Sequence, residues 1–195
     1  MGRTMELHEI VQNRRAYRSF EPVKITEELI HDLAEHARLS ASCMNMQPWR
    51  YIFVNDPEVL KELKGTMSKN NDWTGLGSMI IAVFTKPDLD CVIKDRIYCL
   101  FDTGMATAFL ILRAWDLGLV AHPIAGFDPI KVKACLKIPD EITLITLVIV
   151  GKKKEAIDPI LTPKQAAQEK ERPERIPFER FAYLNKYTGD AEPKA

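Results

Sequence analysis

The feature that most constrains how this chain folds is the stretch from Asp95 to Leu117, which carries apolar residues at helical spacing, contains no proline and runs directly into Gly118. An internal proline would remove a backbone donor and clash with the preceding turn, whereas a glycine just past the end suits a left-handed cap. One long, central, buried helix is therefore expected. It needs partners, and the flanking segments provide them. Trp49 to Val54, Met79 to Thr85, Leu119 to Ile124 and the β-branched run Ile142 to Val150 read as strands. Shorter helices are expected from Glu6 to Arg15, from Thr26, a good N-cap, to about Leu39, from Pro57 to Met67 behind Asp56, and from Pro129 to Leu136. These elements alternate without a βαβ dinucleotide signature.

In 195 residues no proline, glycine or serine-rich stretch divides the chain, so a single domain over residues 1–195 is expected. From residue 152 the character becomes polar and proline-punctuated. Its apolar residues Ile160, Leu161, Phe178, Phe181, Tyr183 and Leu184 then need burial elsewhere, so residues 152–195 read as an extended arm packing on a partner subunit, the alternative being an arm that wraps its own domain or is disordered beyond Tyr187. Twenty-seven basic side chains balance 27 acidic ones, leaving no global field to attract nucleic acid or an anionic membrane. Any anion must be held by a local cluster. The longest apolar runs are far shorter than the roughly 20 residues a spanning helix requires. The N-terminus MGRTMELHEI has no apolar h-region, which points to the cytoplasm. Cys43, Cys91, Cys99 and Cys135 show no metal-like or CxxC spacing and read as small buried hydrophobes. His31 and His36 are five residues apart, on different helix faces, so no metal site is expected.

Three segments could carry chemistry. Arg14, Arg15 and Arg18 end the first helix, and planar guanidinium groups suit a phosphate monoester, although such a cluster read alone also suits a solvated face. The loop Ser40-Ala-Ser-Cys-Met-Asn-Met-Gln-Pro-Trp49 is dense in groups that donate and accept, as recognition of a heterocycle edge or sugar-like hydroxyls requires. His122-Pro-Ile-Ala-Gly-Phe-Asp128 follows a strand, and Gly126 lets another group approach the backbone.

Together these segments resemble the FMN-dependent nitroreductase family, in the family's order. Arg14-Arg-Ala-Tyr-Arg-Ser-Phe20 is similar to its opening cationic cluster, and Ala41-Ser-Cys-Met-Asn-Met-Gln-Pro-Trp49 to its Pro-Ser-x-x-Asn-x-Gln-Pro-Trp loop. Asp102-Thr-Gly-Met-Ala106, Pro123 to Asp128 and Arg175-Ile-Pro177 follow in sequence. The resemblance implies a three-layer α/β/α fold of the α+β class, with a mixed, mostly antiparallel sheet in a domain-swapped homodimer. It implies FMN sites at the subunit interface. Arg14, Arg15 and Arg175 would hold the phosphate, with Ala16 standing where a serine is usual, and Arg18 would face the pyrimidine side of the ring. Ser42, Asn45 and Gln47 would touch the ring or ribityl chain, and Asn70 or Asn71 the pyrimidine edge. Pro123, Ile124, Ala125 and Gly126 would line the ring near N5, the last two through backbone N–H groups. No side chain would be catalytic in itself. NADH or NADPH would give hydride to flavin N5 and leave, to be replaced by a nitroaromatic, quinone or enone. Separately, the polar, glycine-containing stretch Lys64 to Gly77 reads as a lid, with Trp73 and Phe127 either stacking on the acceptor or simply packing. The same scaffold also serves flavin reduction, reductive dehalogenation and flavin fragmentation, and an FMN carrier or sensor with little turnover is the alternative outside enzymes.

Overall fold

A computed structural model of the chain describes residues 6–189. Its helices begin where the sequence provides acceptors for their unpaired N–H groups. Glu27–Arg38 (α2) is capped by Thr26 Oγ1, which accepts from Leu29 N at 3.2 Å. Pro57–Lys64 (α3) is capped by Asp56, and Pro129–Leu136 (α5) by Asp128, each with proline in the first turn. Leu7–Asn13 (α1) opens the chain and Pro163–Lys170 (α6) follows the last strand.

The long helix is shorter than its apolar pattern suggests. Cys99–Asp116 (α4) is helical, but Val92–Ile93 (β4) and Arg96–Ile97 (β5) pair as a hairpin, with Lys94 at φ 59° in the turn. The β-branched residues at 92, 93 and 97 favour that ribbon, and the Lys94-Asp95 turn separates it from the helix. Gly118 sits at φ 76°, a left-handed position that releases the chain into Leu119–Ile124 (β6).

Thr143–Lys153 (β7) is the centre of the sheet. Met79–Thr85 (β3) pairs along one edge of it and β6 along the other, Arg50–Val54 (β2) adds to β3, and Phe20–Glu21 (β1) pairs with the end of β7. Every pairing among the described strands is antiparallel. The period-two alternation of β3 then separates two cores. Met79, Ile81 and Val83 pack with Leu33 and Ala37 of α2 and Ala106, Leu110 and Ala114 of α4. Ile80 and Ala82 face the opposite way, toward Leu63 of α3, Val132 of α5 and Trp73. Helices thus cover both faces, which gives the three-layer α+β architecture.

Three expectations are corrected. Of the four cysteines only Cys99 is buried, while Cys43, Cys91 and Cys135 are half-exposed free thiols. The helix α4 is buried on one face only, and Leu100, Phe101 and Phe109 on its other side are exposed. The segment beyond residue 151 also divides. Residues 152 and 153 complete β7, Leu161 is buried in this chain's own core, and α6 packs back on the first strand region. Residues 171–189 are mostly exposed, Ile176, Phe178, Phe181 and Leu184 among them. Residues 190–195 of the expected arm, like the first residues of the chain, lie outside the described residues. Among the described residues no helix is long and apolar enough to cross a membrane.

Candidate functional site

Arg14, Arg15 and Arg18 leave the end of α1 in extended backbone, which fans their side chains around one cavity of about 230 Å³. Ala16 lies on its rim. Arg175, from the far end of the chain, lines the same cavity together with Arg172, Pro173 and Gln168. Five guanidinium groups therefore meet there, and none of them forms a salt bridge among the described residues. Burial lowers the pKa of Arg14, and the nearby charges of Arg172 and Arg175 lower it further. Uncompensated cations held together in a partly desolvated cleft create a demand for a multiply charged anion.

The backbone frame of the cavity is built by groups that individual motifs do not reveal. Glu169 of α6 is buried, and its carboxylate accepts from Arg18 N at 2.8 Å and Ser19 N at 3.3 Å. The Arg15 guanidinium donates to the Gln168 carbonyl at 2.5 Å and stands over the Tyr17 ring at 4.8 Å. Arg172 donates to the carbonyls of Gln12 at 2.5 Å and Arg14 at 2.8 Å, clipping the arm to the end of α1. Its only trace in the sequence is the repeated Arg in ERPERIP.

From the cavity a continuous set of contacts runs to the turn after β6. The Arg18 guanidinium stands over the Trp73 ring at 5.8 Å, Trp73 Nε1 donates to Asn71 Oδ1 at 3.2 Å, and Asn71 Nδ2 donates to the Gly126 carbonyl at 2.8 Å. A Cβ on residue 126 would lie 2.2 Å from Asn71 Nδ2, so only glycine admits this approach. Asn71 is thereby tied to the turn. Asn70, at φ 69°, is exposed and engages α6 through its carbonyl, which accepts from Gln165 Nε2. Pro123 and Ala125 are exposed, Ile124 is buried, and Phe127 is half-buried beside Met67.

The stacking role expected of Trp73 is overturned. The indole is 1 % exposed and lies between Phe20 and His122, so no face of it is free to receive a ligand. The lid expectation for residues 64–77 falls with it, because Ser68 N and Asn71 both bond to Gly126 and Trp73 and Thr74 are inserted in the core.

His122 completes this frame. Its Nδ1 lies 2.9 Å from the Tyr17 carbonyl, which only a protonated Nδ1 can satisfy, and its ring packs on Trp73 at 4.7 Å between centroids. Burial first, then the neighbouring Arg18 and Arg14, push it from its ordinary 6.5 down to about 4. The unfolded chain therefore takes up this proton before the folded one does. Stability is full above about pH 6.5 and declines as the pH falls toward 4, by on the order of 3 kcal/mol in all. Urea unfolding at about pH 7 and about pH 5 should show the loss, and His122→Gln should flatten it; equal slopes in both proteins would assign the acid sensitivity to other groups.

The loop with Ser42, Asn45 and Gln47 is organised by itself, with Ser42 Oγ accepting from Gln47 N at 3.0 Å and the Cys43 N–H donating to Asp102 Oδ2 at 2.6 Å. Met44, Asn45 and Gln47 all have positive φ. Within one chain this loop does not line the arginine cavity.

The chain is thus a three-layer α+β protein with a cationic cavity linked by side-chain contacts to the Gly126 turn. The sequence profile of the Nitroreductase family matches residues 11–72, which contain Arg14, Arg15 and Arg18 and the polar loop. YdgI of Bacillus subtilis, assigned to the NAD(P)H nitroreductases by name alone, is 35% identical over 164 residues, spanning 66% of this chain and 78% of its own. This chain belongs to the nitroreductase family. Among solved structures, one described as an oxidoreductase containing FMN superposes with a TM-score of 0.79 at 21% identity, covering 97% of this chain and 96% of that one. A protein of Exiguobacterium sibiricum solved in complex with FMN gives 0.76 at 23% identity, covering 94% and 99%. At such identities the likeness establishes the fold.

Proposed function

We propose that this protein is an FMN-dependent oxidoreductase that moves a hydride from NADH or NADPH to a small electron-poor acceptor, such as a nitroaromatic, quinone or enone, both substrates using one pocket in turn. The observation that carries the reading is the meeting of Arg14, Arg15, Arg18, Arg172 and Arg175, from both ends of the chain, around one cavity, with the Glu169 carboxylate beside Arg18 already engaged by two backbone N–H groups. A phosphate monoester brings about two negative charges and three acceptor oxygens, which matches that donor set. The naming of YdgI and the FMN in the two structural relatives support the choice of cofactor and co-substrate.

In this reading the guanidinium groups of Arg14, Arg15 and Arg175 hold the phosphate and orient the ligand, while Arg172 fixes the backbone that presents Arg14. Arg18 stabilises negative charge on the ring's pyrimidine side, steadied from behind by Trp73. The backbone of Ala125 and Gly126, anchored by Asn71, forms the edge against which the ring is set. FMN supplies the hydride-exchanging chemistry when bound, and the protein supplies orientation and electrostatics. Phe127 borders the acceptor position.

We infer that the working form is a homodimer. One chain leaves Ser42, Asn45 and Gln47 away from the cavity, and it exposes Leu7, Val11, Leu100, Phe101 and Phe109 together with the aromatic stretch after Glu171. A second copy covering these residues would bury that apolar surface and bring its polar loop to the first chain's cradle. The single-domain reading, the partner-wrapping role of the stretch after Glu171 and the cytoplasmic setting belong to the same proposal.

The test is reconstitution of the purified chain with FMN, followed by anaerobic mixing with NADH and with NADPH. Retained flavin absorbance that bleaches with either nicotinamide is the expected result. Failure to retain FMN would sink the reading, and retained flavin that stays oxidised for minutes would make the protein a carrier.

A further inference from the structure

Residues 171–189 lack what fixes the rest of the chain. None of them is buried, and their regular structure is one short 3-10 turn, Phe178–Arg180. Burial of apolar surface is what holds a segment against its conformational entropy, so a stretch without it opens at little cost. Arg172 ties this one to the body. Its guanidinium donates to the carbonyls of Gln12 at 2.5 Å and Arg14 at 2.8 Å. Gln12 lies in the last turn of α1, where carbonyls have no partner inside the helix and the dipole is negative, so the cation closes that helix end.

Arg175 follows on the same segment and lines the anion cavity. The cavity therefore has two cationic walls that come from opposite ends of the chain, Arg14, Arg15 and Arg18 on one and Arg172 and Arg175 on the other. Among the described residues no salt bridge neutralises either wall. Like charges across a partly desolvated gap drive the walls apart, and a dianion between them draws them together.

We propose that residues 171–189 are a strap that a phosphate dianion closes. Hinged on Arg172 at the end of α1, the strap is drawn down when the anion bridges Arg14 and Arg175, and it is released when the cradle empties. The identity of that anion as the phosphate of FMN rests on the function proposed above, whereas the closure itself needs only the dianion. Coupled equilibria are reciprocal, so whatever holds the strap down strengthens anion binding by the same factor. In the homodimer inferred above, a partner covering Phe178, Phe181 and Leu184 would be such a hold. Cofactor occupancy and partner contact then reinforce one another.

The test is limited proteolysis of the full chain with chymotrypsin, following cleavage after Phe178 and Phe181 by mass spectrometry at about pH 8, where phosphate is mostly dianionic. Chloride alone, inorganic phosphate and FMN are compared at one ionic strength, with calorimetry giving the saturation of each ligand. A ligand at about ten times its dissociation constant lowers the open fraction, and with it the cleavage rate, by roughly tenfold. That slowing is expected with phosphate as well as with FMN, and Arg175→Ala brought to the same saturation should show none. Equal cleavage rates with and without bound phosphate, or protection that persists in Arg175→Ala, would overturn the strap. Protection by phosphate in a protein that does not retain FMN would leave the strap standing and remove only the cofactor reading. A cradle that binds neither anion overturns both.

Discussion

Replacing Trp73 by alanine should lower the unfolding free energy by about 3–5 kcal/mol, the range for removing a large aromatic from a packed core. The residue is 1 % exposed and touches Phe20 and His122, so the space it leaves has no solvent path by which to relax. Urea unfolding followed by far-UV circular dichroism measures the loss. The conservative change Trp73→Phe keeps most of the ring but removes the Nε1 donor to Asn71, and a smaller loss of about 1 kcal/mol is expected from that bond. Both variants should also weaken FMN binding, because Arg18 rests on the indole and Asn71 holds the Gly126 turn through it. A loss below about 1 kcal/mol for the alanine variant would show that the indole is not a packed core group.

The opposite signature is expected in the cradle. Arg14→Ala or Arg175→Ala should each weaken FMN binding by roughly 10- to 150-fold, the equivalent of a charge-assisted hydrogen-bond contribution of about 1.5–3 kcal/mol. The cofactor-free variants should melt no lower than the parent, because removing one cation relieves the repulsion among Arg14, Arg172 and Arg175. Fluorescence titration with FMN and thermal melts in the presence and absence of phosphate read the two effects. Raising the salt concentration should narrow both differences by screening. A variant that loses affinity and apo stability together would mean that the arginines serve the fold and only incidentally the ligand. Arg172→Ala is distinguishable from these, since its guanidinium bonds two carbonyls and its loss should also loosen the arm.

Much of this organisation is legible without coordinates. Local chemistry marks β3, β6 and α5 at the bounds they adopt, because an uninterrupted apolar run and an Asp-Pro start leave few alternatives. The arginine cluster is legible as a candidate anion site only through the resemblance, because three guanidinium groups in five residues read alone also suit a solvated face. What misleads is the apolar pattern from 92 to 117, where a ribbon and a helix share one composition, and Trp73, whose polar, glycine-rich neighbours suggest a surface loop.

By itself the sequence determined most of the element types and the identity of Arg14, Arg15 and Arg18, since each of these depends on residues near one another in the chain. Only the tertiary structure decided that Glu169 and Gln168 hold the arginine segment, that Arg172 joins the cradle and that Trp73 lies behind it. The physical reason is that a buried carboxylate bonding backbone N–H groups some 150 positions away leaves no local pattern. Such contacts exist because the sheet brings the ends of the chain together, and their strength comes from the low-dielectric space that closure creates.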